Sequence, residues 1–132
     1  MKKSQLIPKA VAEFMQRPSI KELNRKINFG KDIVAQGNIL LINPDSIAAD
    51  AEELGYQTSN LKNVLLKLLE EVQSKHYVGA HPPRKSYEPL IKGSDLFEFR
   101  WESKRFGCAI YIKYTLKNEI FYLVSLHKHR PR

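Results

Sequence analysis

An α+β fold is what this sequence predicts: helices in the first part of the chain packed on one face of a small antiparallel sheet formed by the last part. Two observations lead there. Leu61, Val64, Leu65, Leu68, Leu69 and Val72 recur at the 3.6-residue period of one helical stripe. Three later runs, DLFEFRW (95–101), FGCAIYIKYTL (106–116) and IFYLVSLH (120–127), alternate with period two, as strands do. Helices first and a strand meander afterwards is the α+β order.

The elements follow in turn. Ser19 and Glu22 form the capping-box pattern S-I-K-E and predict a helix to about Ile33. The short apolar run NILLI (38–42) reads as a strand or a buried connection. Asn43-Pro44-Asp45-Ser46 opens a second helix through IAADAEEL, which Gly55 stops as a left-handed C-cap. Thr58 or Ser59 is expected to cap the third, which carries the leucine stripe. From Lys75 the prolines and glycine of HYVGAHPPRKSYEP predict an irregular loop.

Composition bounds the function classes. The 132 residues are 42% hydrophobic and 27% charged, as in an ordinary soluble domain. No apolar run approaches the roughly 18 residues a membrane span needs, so no membrane association is expected. The N-terminus lacks the sustained apolar core and cleavage site of a signal peptide and reads as retained. Cys108 is the lone cysteine, which excludes an internal disulfide and a Cys-rich zinc site and fits a reducing cytoplasm. The net charge of +8 divides as +5 over residues 1–35, −3 over 36–75 and +6 over 76–132. That polarity points to a polyanionic or acidic partner. Residues 1–35 are read as a basic helical extension and 36–132 as the α+β domain.

Register decides which strand residues share a face. A three-residue loop, Lys117-Asn118-Glu119, would set Ile112 opposite Val124 and Tyr111 opposite Ser125. One face then buries Phe99, Trp101, Ile110, Ile112 and Val124 against Leu61, Leu65 and Leu68. The other collects Glu98, Arg100, Tyr111, Lys113, Ser125 and His127. A two-residue loop would scramble polar and apolar residues, which a half-buried sheet resists. Phe121 and Leu123 stay on the polar side in this register and need a cover, from the N-terminal segment or from a partner.

The polar set has the residue types of a metal-free ribonuclease. Cleaving RNA through its own 2′-hydroxyl needs a base for that hydroxyl, an acid for the departing 5′-oxygen, and cations beside the phosphorane. His127 titrates in the range an acid or base needs, Glu98 supplies a complementary base, and Arg100 and Lys113 supply cations. Tyr111 can donate a hydrogen bond or stack on a base. The basic tip after the last strand, Lys128, His129 and Arg130, would grip the RNA. The alternative for these residues is a solvated face in which Glu98 is the ion-pair partner of Arg100 and Lys113. His76, His81, His127 and His129 match no standard metal-ligand spacing, and YVGAHPP lacks the phosphate-loop pattern, so no metal and no cofactor is expected.

At these residues the chain resembles a known family. An E-L-G step (Glu53-Leu54-Gly55), a helix with L-L-K-L-L, a Tyr-X-Gly loop (Tyr77-Val78-Gly79), a D-L-F-E-F strand, a Y-I-K strand (Tyr111-Ile112-Lys113) and a closing V-S-L-H follow in order. From Leu54 to His127 this is similar to the MqsR-type (motility quorum-sensing regulator) toxins, mRNA interferases of the RelE-like superfamily. The resemblance implies a compact bacterial toxin of a type II toxin-antitoxin system. Such a toxin cleaves mRNA without a metal and is silenced by a cognate antitoxin protein. It sets Tyr111 on the family's sheet tyrosine, His127 on its C-terminal basic position, Glu98 near a polar position after an aromatic, and Lys75 close to its loop lysine. The N-terminal extension and the HPPRKSYE insert depart from the family's pattern.

Two other function classes fit the same residues: a nucleic-acid-binding module without catalysis, and a protein-interaction subunit of a repressor complex. For assembly, a homodimer and a hetero-oligomer with the antitoxin both stay open.

Overall fold

The computed structural model describes residues 17–130. The fold is α+β: three helices, α1 (Ile20–Ala35), α2 (Pro44–Leu54) and α3 (Leu61–Glu71), pack against a four-stranded sheet. Its strands are β1 (Ile39–Leu41), β2 (Phe97–Ser103), β3 (Cys108–Lys117) and β4 (Ile120–Lys128), in the order β1-β4-β3-β2. The last three form the expected antiparallel meander, but β1 runs parallel to β4, so the sheet is mixed. No helix among the described residues is long and apolar enough to cross a membrane.

Local chemistry accounts for the helix ends. The Ser19 side chain accepts the Glu22 N–H at 3.0 Å and caps α1. Glu22 does not close the box; its carboxylate takes Arg17 instead, at 2.6 Å. Gly55 ends α2 with φ +83, where a side chain would be strained. Neither Thr58 nor Ser59 caps α3; Thr58–Asn60 forms a 3-10 turn that feeds directly into it.

Leu61, Val64, Leu65, Leu68, Leu69 and Val72 are all buried, in one cluster with Phe97, Phe99, Trp101, Ile110, Ile112 and Tyr114 of the sheet. Leu23, Ile27, Ile33 and Val34 of α1 belong to that cluster too, so within the described residues the basic helix and the chain after it share one core. The close fit of α1 on the sheet passes through Gly30, where a Cβ would stand 3.3 Å from the Phe121 ring.

The β3–β4 register corrects the expected one. The connection is the two-residue turn Asn118-Glu119, with φ of 52 and 58 as a type I′ hairpin requires. It pairs Lys117 with Ile120, Leu116 with Phe121 and Tyr114 with Leu123. A bulge at Val124 then shifts the parity, so that Lys113 pairs with Ser125, Ile112 with Leu126 and Tyr111 with His127. The extra residue prevents the scrambling that a two-residue turn alone would cause. Phe121, Leu123 and Leu126 all turn into the core and are buried, whereas Val124, expected in the core, lies half-buried outside it. Phe121 and Leu123 therefore need no outside cover.

Candidate functional site

The face of the sheet turned away from the helices gathers two cross-strand rows. Glu98, Lys113 and Ser125 form one; Arg100, Tyr111 and His127 form the next. These six are the residues that alternation assigned to the polar face, brought together by the bulge rather than by the loop. None of the six is fully buried.

Tyr111 is the hub. Its hydroxyl donates to Glu98 Oε1 at 2.5 Å, and its ring stacks on the His127 imidazole with centroids 5.0 Å apart. Burial first, then the Glu98 hydrogen bond and charge, hold the phenol pKa well above its ordinary value, with Arg84 opposing. At neutral pH Tyr111 is therefore a proton-bearing donor, not a base. His127 Nδ1 lies 2.9 Å from the Lys128 carbonyl oxygen. A carbonyl can only accept, so Nδ1 carries hydrogen and Nε2 is the atom left for chemistry. Arg100 Nη1 lies 3.2 Å from His129 Nε2; the guanidinium can only donate, so this nitrogen accepts.

The basic tip does not act as one cluster. His129 joins Arg100 beside the open face. Lys128 pairs across from Ile110, a core-face residue, and so stands on the opposite side from His127. Arg130 reaches α2, 2.9 Å from Glu53 and 3.5 Å from Asp50. Lys75 is exposed on the 3-10 turn Ser74–His76, whose successor Tyr77 bridges Phe99 at the outer edge of β2. The contacts that unite Glu98, Tyr111 and His127 do not include it.

The HPPRKSYE segment supplies what strand alternation missed. Thr115 and Tyr122 pair on the same side of the sheet as Tyr111, yet both are buried, as is Ile91 of the 3-10 turn Pro89–Ile91. The Lys117 ammonium donates to the Leu90 carbonyl at 3.2 Å, tying that turn over this end of the sheet. Among the described residues, the part around Tyr111 is left open. Where roof and open sheet meet there is a cleft of about 250 Å³, with Arg84 and Tyr87 on one side and Glu98, Lys113 and Val124 on the other. The signal for it in the sequence was the density of Arg, Lys and Tyr inside a proline-rich loop.

His76 is held elsewhere, stacked on Trp101 and accepting the Gln73 N–H at 2.9 Å. Among the described residues no group of three or more His, Cys, Asp or Glu side chains is arranged to hold a metal ion. No protein-family model matches the chain, and no curated protein matches it.

Proposed function

We propose that the protein is an endoribonuclease that cuts single-stranded mRNA by attack of the substrate's own 2′-hydroxyl. The observation that carries this reading is the Glu98–Tyr111–His127 contact chain on an open face flanked by Arg100 and Lys113. An acid–base pair and two cations then lie within adjoining cross-strand rows. The resemblance of residues 54–127 to the MqsR-type toxins supports the same reading.

In this mechanism Glu98 Oε1 is engaged by Tyr111, and Oε2 takes the 2′-hydroxyl proton as the O2′–P bond forms. Arg100 and Lys113 offset the charge that builds on the phosphorane oxygens. As the P–O5′ bond breaks, His127, reacting as the imidazolium with Nδ1–H held on the Lys128 carbonyl, gives its Nε2 proton to the departing oxygen and is left as the neutral Nδ1–H tautomer. The products are a 2′,3′-cyclic phosphate and a 5′-hydroxyl. Tyr111 keeps the carboxylate and the imidazole in register, because it touches both. The cytoplasm, where mRNA is found and Cys108 stays reduced, is the proposed location. A cognate antitoxin protein that covers the open face is the proposed regulator.

The test is incubation of the purified protein with a defined mRNA in EDTA, with the new ends mapped. Discrete cuts ending in cyclic phosphate, absent with folded His127→Ala, support the reading. Retention of RNA without any cutting would replace it with a binding module. For the antitoxin, co-expression with the neighbouring gene is expected to give a complex and to relieve a growth defect; neither result would remove that part.

A further inference from the structure

The cleft beside the open face carries a feature the cleavage chemistry does not use. Tyr87 is 92% exposed, more than any other large hydrophobic residue described. An aromatic so exposed is usually a mobile one, but this backbone is held on both sides. Leu96 N donates to the Arg84 carbonyl at 2.8 Å, Ser86 N to the Ser94 carbonyl at 2.9 Å, and Gly93 N to the Ser86 carbonyl at 2.9 Å. Ser86 is buried and its hydroxyl accepts the Glu88 N–H at 3.0 Å. On the far side Ile91 is wholly buried. Residue 87 is thus clamped between two anchored neighbours while its ring stands in solvent.

The surroundings narrow what such a ring would meet. Lys85 is ion-paired with Asp95, which Arg17 also holds, so its charge serves the loop. Arg84 is exposed at the cleft, and its charge acts on Tyr111. Glu98 and Lys113 line the cleft and also belong to the catalytic rows, so cleft and site are continuous. The half-buried Val124 of the bulge gives the floor an apolar patch. The space suits a base and its sugar, and is too small for a helix or a strand.

We infer that this cleft is a nucleotide subsite for single-stranded RNA, in which the Tyr87 ring stacks on an unpaired base and Arg84 holds the adjoining phosphate. The inference rests on the endoribonuclease reading for the direction of the strand, since Lys113 and Glu98 connect the two places. Stacking accepts any base, because every base has a π-face. Glu88, which also lines the cleft, would favour a base that presents an amino group and repel a second phosphate. The subsite therefore grips RNA next to the scissile bond and biases the base chosen there.

The experiment is fluorescence anisotropy with a fully 2′-O-methylated oligonucleotide, which cannot be cut, and the full chain. Tyr87→Ala should weaken binding about 5- to 150-fold, the range for loss of one stacked base. Tyr87→Phe should retain it. Arg84→Ala should weaken binding and lower the slope of log affinity against log salt by about 0.7, as loss of one phosphate contact does for single strands. Since Tyr87 is almost wholly exposed, its variants should keep the wild-type melting temperature. If wild-type protein binds the oligonucleotide and cuts RNA, but Tyr87→Ala and Arg84→Ala bind it equally well, the subsite is wrong and the cleavage reading stands. If wild-type protein neither binds nor cuts RNA, the cleavage reading fails and takes the subsite with it.

Discussion

The His127 imidazole lies over the Tyr111 ring at 29° from parallel, because the two residues are direct cross-strand partners beyond the Val124 bulge. The stacking orients the imidazole from one face while the Lys128 carbonyl fixes its tautomer from the edge. The Tyr111 hydroxyl is meanwhile committed to Glu98. Acid and base candidates are therefore coupled through one aromatic side chain.

That coupling predicts a division between two variants. His127→Ala should lower the single-turnover cleavage rate by about 10²–10⁴-fold, as loss of an acid–base group does, with little change in RNA affinity. Tyr111→Phe keeps the ring under His127 but frees Glu98, so the rate should fall by less. If Tyr111→Phe is as damaging as His127→Ala, the phenol hydroxyl has a direct part in the chemistry.

The bulge predicts a tolerated deletion. Removing Val124 takes out the unpaired residue and leaves Lys113 opposite Ser125, Ile112 opposite Leu126 and Tyr111 opposite His127, so both faces keep their residues. The loss should stay within the roughly 0.5–3 kcal/mol of ordinary single substitutions, measured by urea unfolding. Val124→Ala, which keeps the bulge, should also stay folded. A Val124 deletion that does not fold would mean that the ladder needs the bulge for more than the parity of its faces.

Placement of the tip separates its cations. Arg100→Ala should reduce the salt dependence of RNA binding, because the guanidinium stands on the open face beside His129. Arg130→Ala should leave that slope unchanged, since its charge is shared with Asp50 and Glu53. Its effect on stability should be about 0–1 kcal/mol, as for exposed ion pairs. Titration of binding against potassium chloride distinguishes the two.

Acid should weaken the fold through Glu71. Burial raises the pKa of this carboxylate, but hydrogen bonds from Trp101, Ser103 and the Arg105 and Lys104 backbone outweigh it and leave it below its ordinary value. A pKa lower in the folded chain than in the unfolded one means that the unfolded chain takes up the proton first as pH falls. The contribution is complete above the unfolded value, near 4.3, and is lost as pH drops through the folded value. Glu71→Gln should cost about 1–3 kcal/mol at pH 7 and flatten the decline of stability below about pH 4. Urea midpoints measured across that range check both.

Gly30 predicts a packing limit. A Cβ there meets the Phe121 ring at 3.3 Å, so Gly30→Leu should overpack the α1–β4 contact and destabilise by about 1–3 kcal/mol. A melting temperature equal to wild type would show that α1 can move off the sheet.

Much of this was legible from residue spacing. The leucine stripe of α3 and the alternation of β2 and β3 found the core and the polar face, because burial enforces one period per element. The register of β4 was not legible. Asn118-Glu119 lacks the Asn-Gly signal of a type I′ turn, and a bulge leaves no mark in composition when its residue is a valine continuing an apolar run, here residues 120–123. Two errors, in loop length and in bulge, cancelled for Ser125 and His127 and did not cancel for Phe121, Leu123 and Val124. The parallel pairing of Ile39–Leu41 was hidden by its length, three residues being too few to show a period. The cleft was missed because its side chains come from an irregular segment whose path depends on hydrogen bonds to residues 94 and 96.

Because β1 finds its only described partner in β4, far along the chain, the sheet cannot close before β4 has been made. A ribosome that has released the helices and β1 has produced apolar faces whose cover, the strands carrying Ile112 and Leu126, has not yet emerged. Long-range pairing of this kind is slow, since the loop must be closed before contacts reward it. His127 lies on that same last strand. On the proposed ribonuclease reading, a nascent chain is harmless to the message it is being read from until β4 has threaded between β1 and β3.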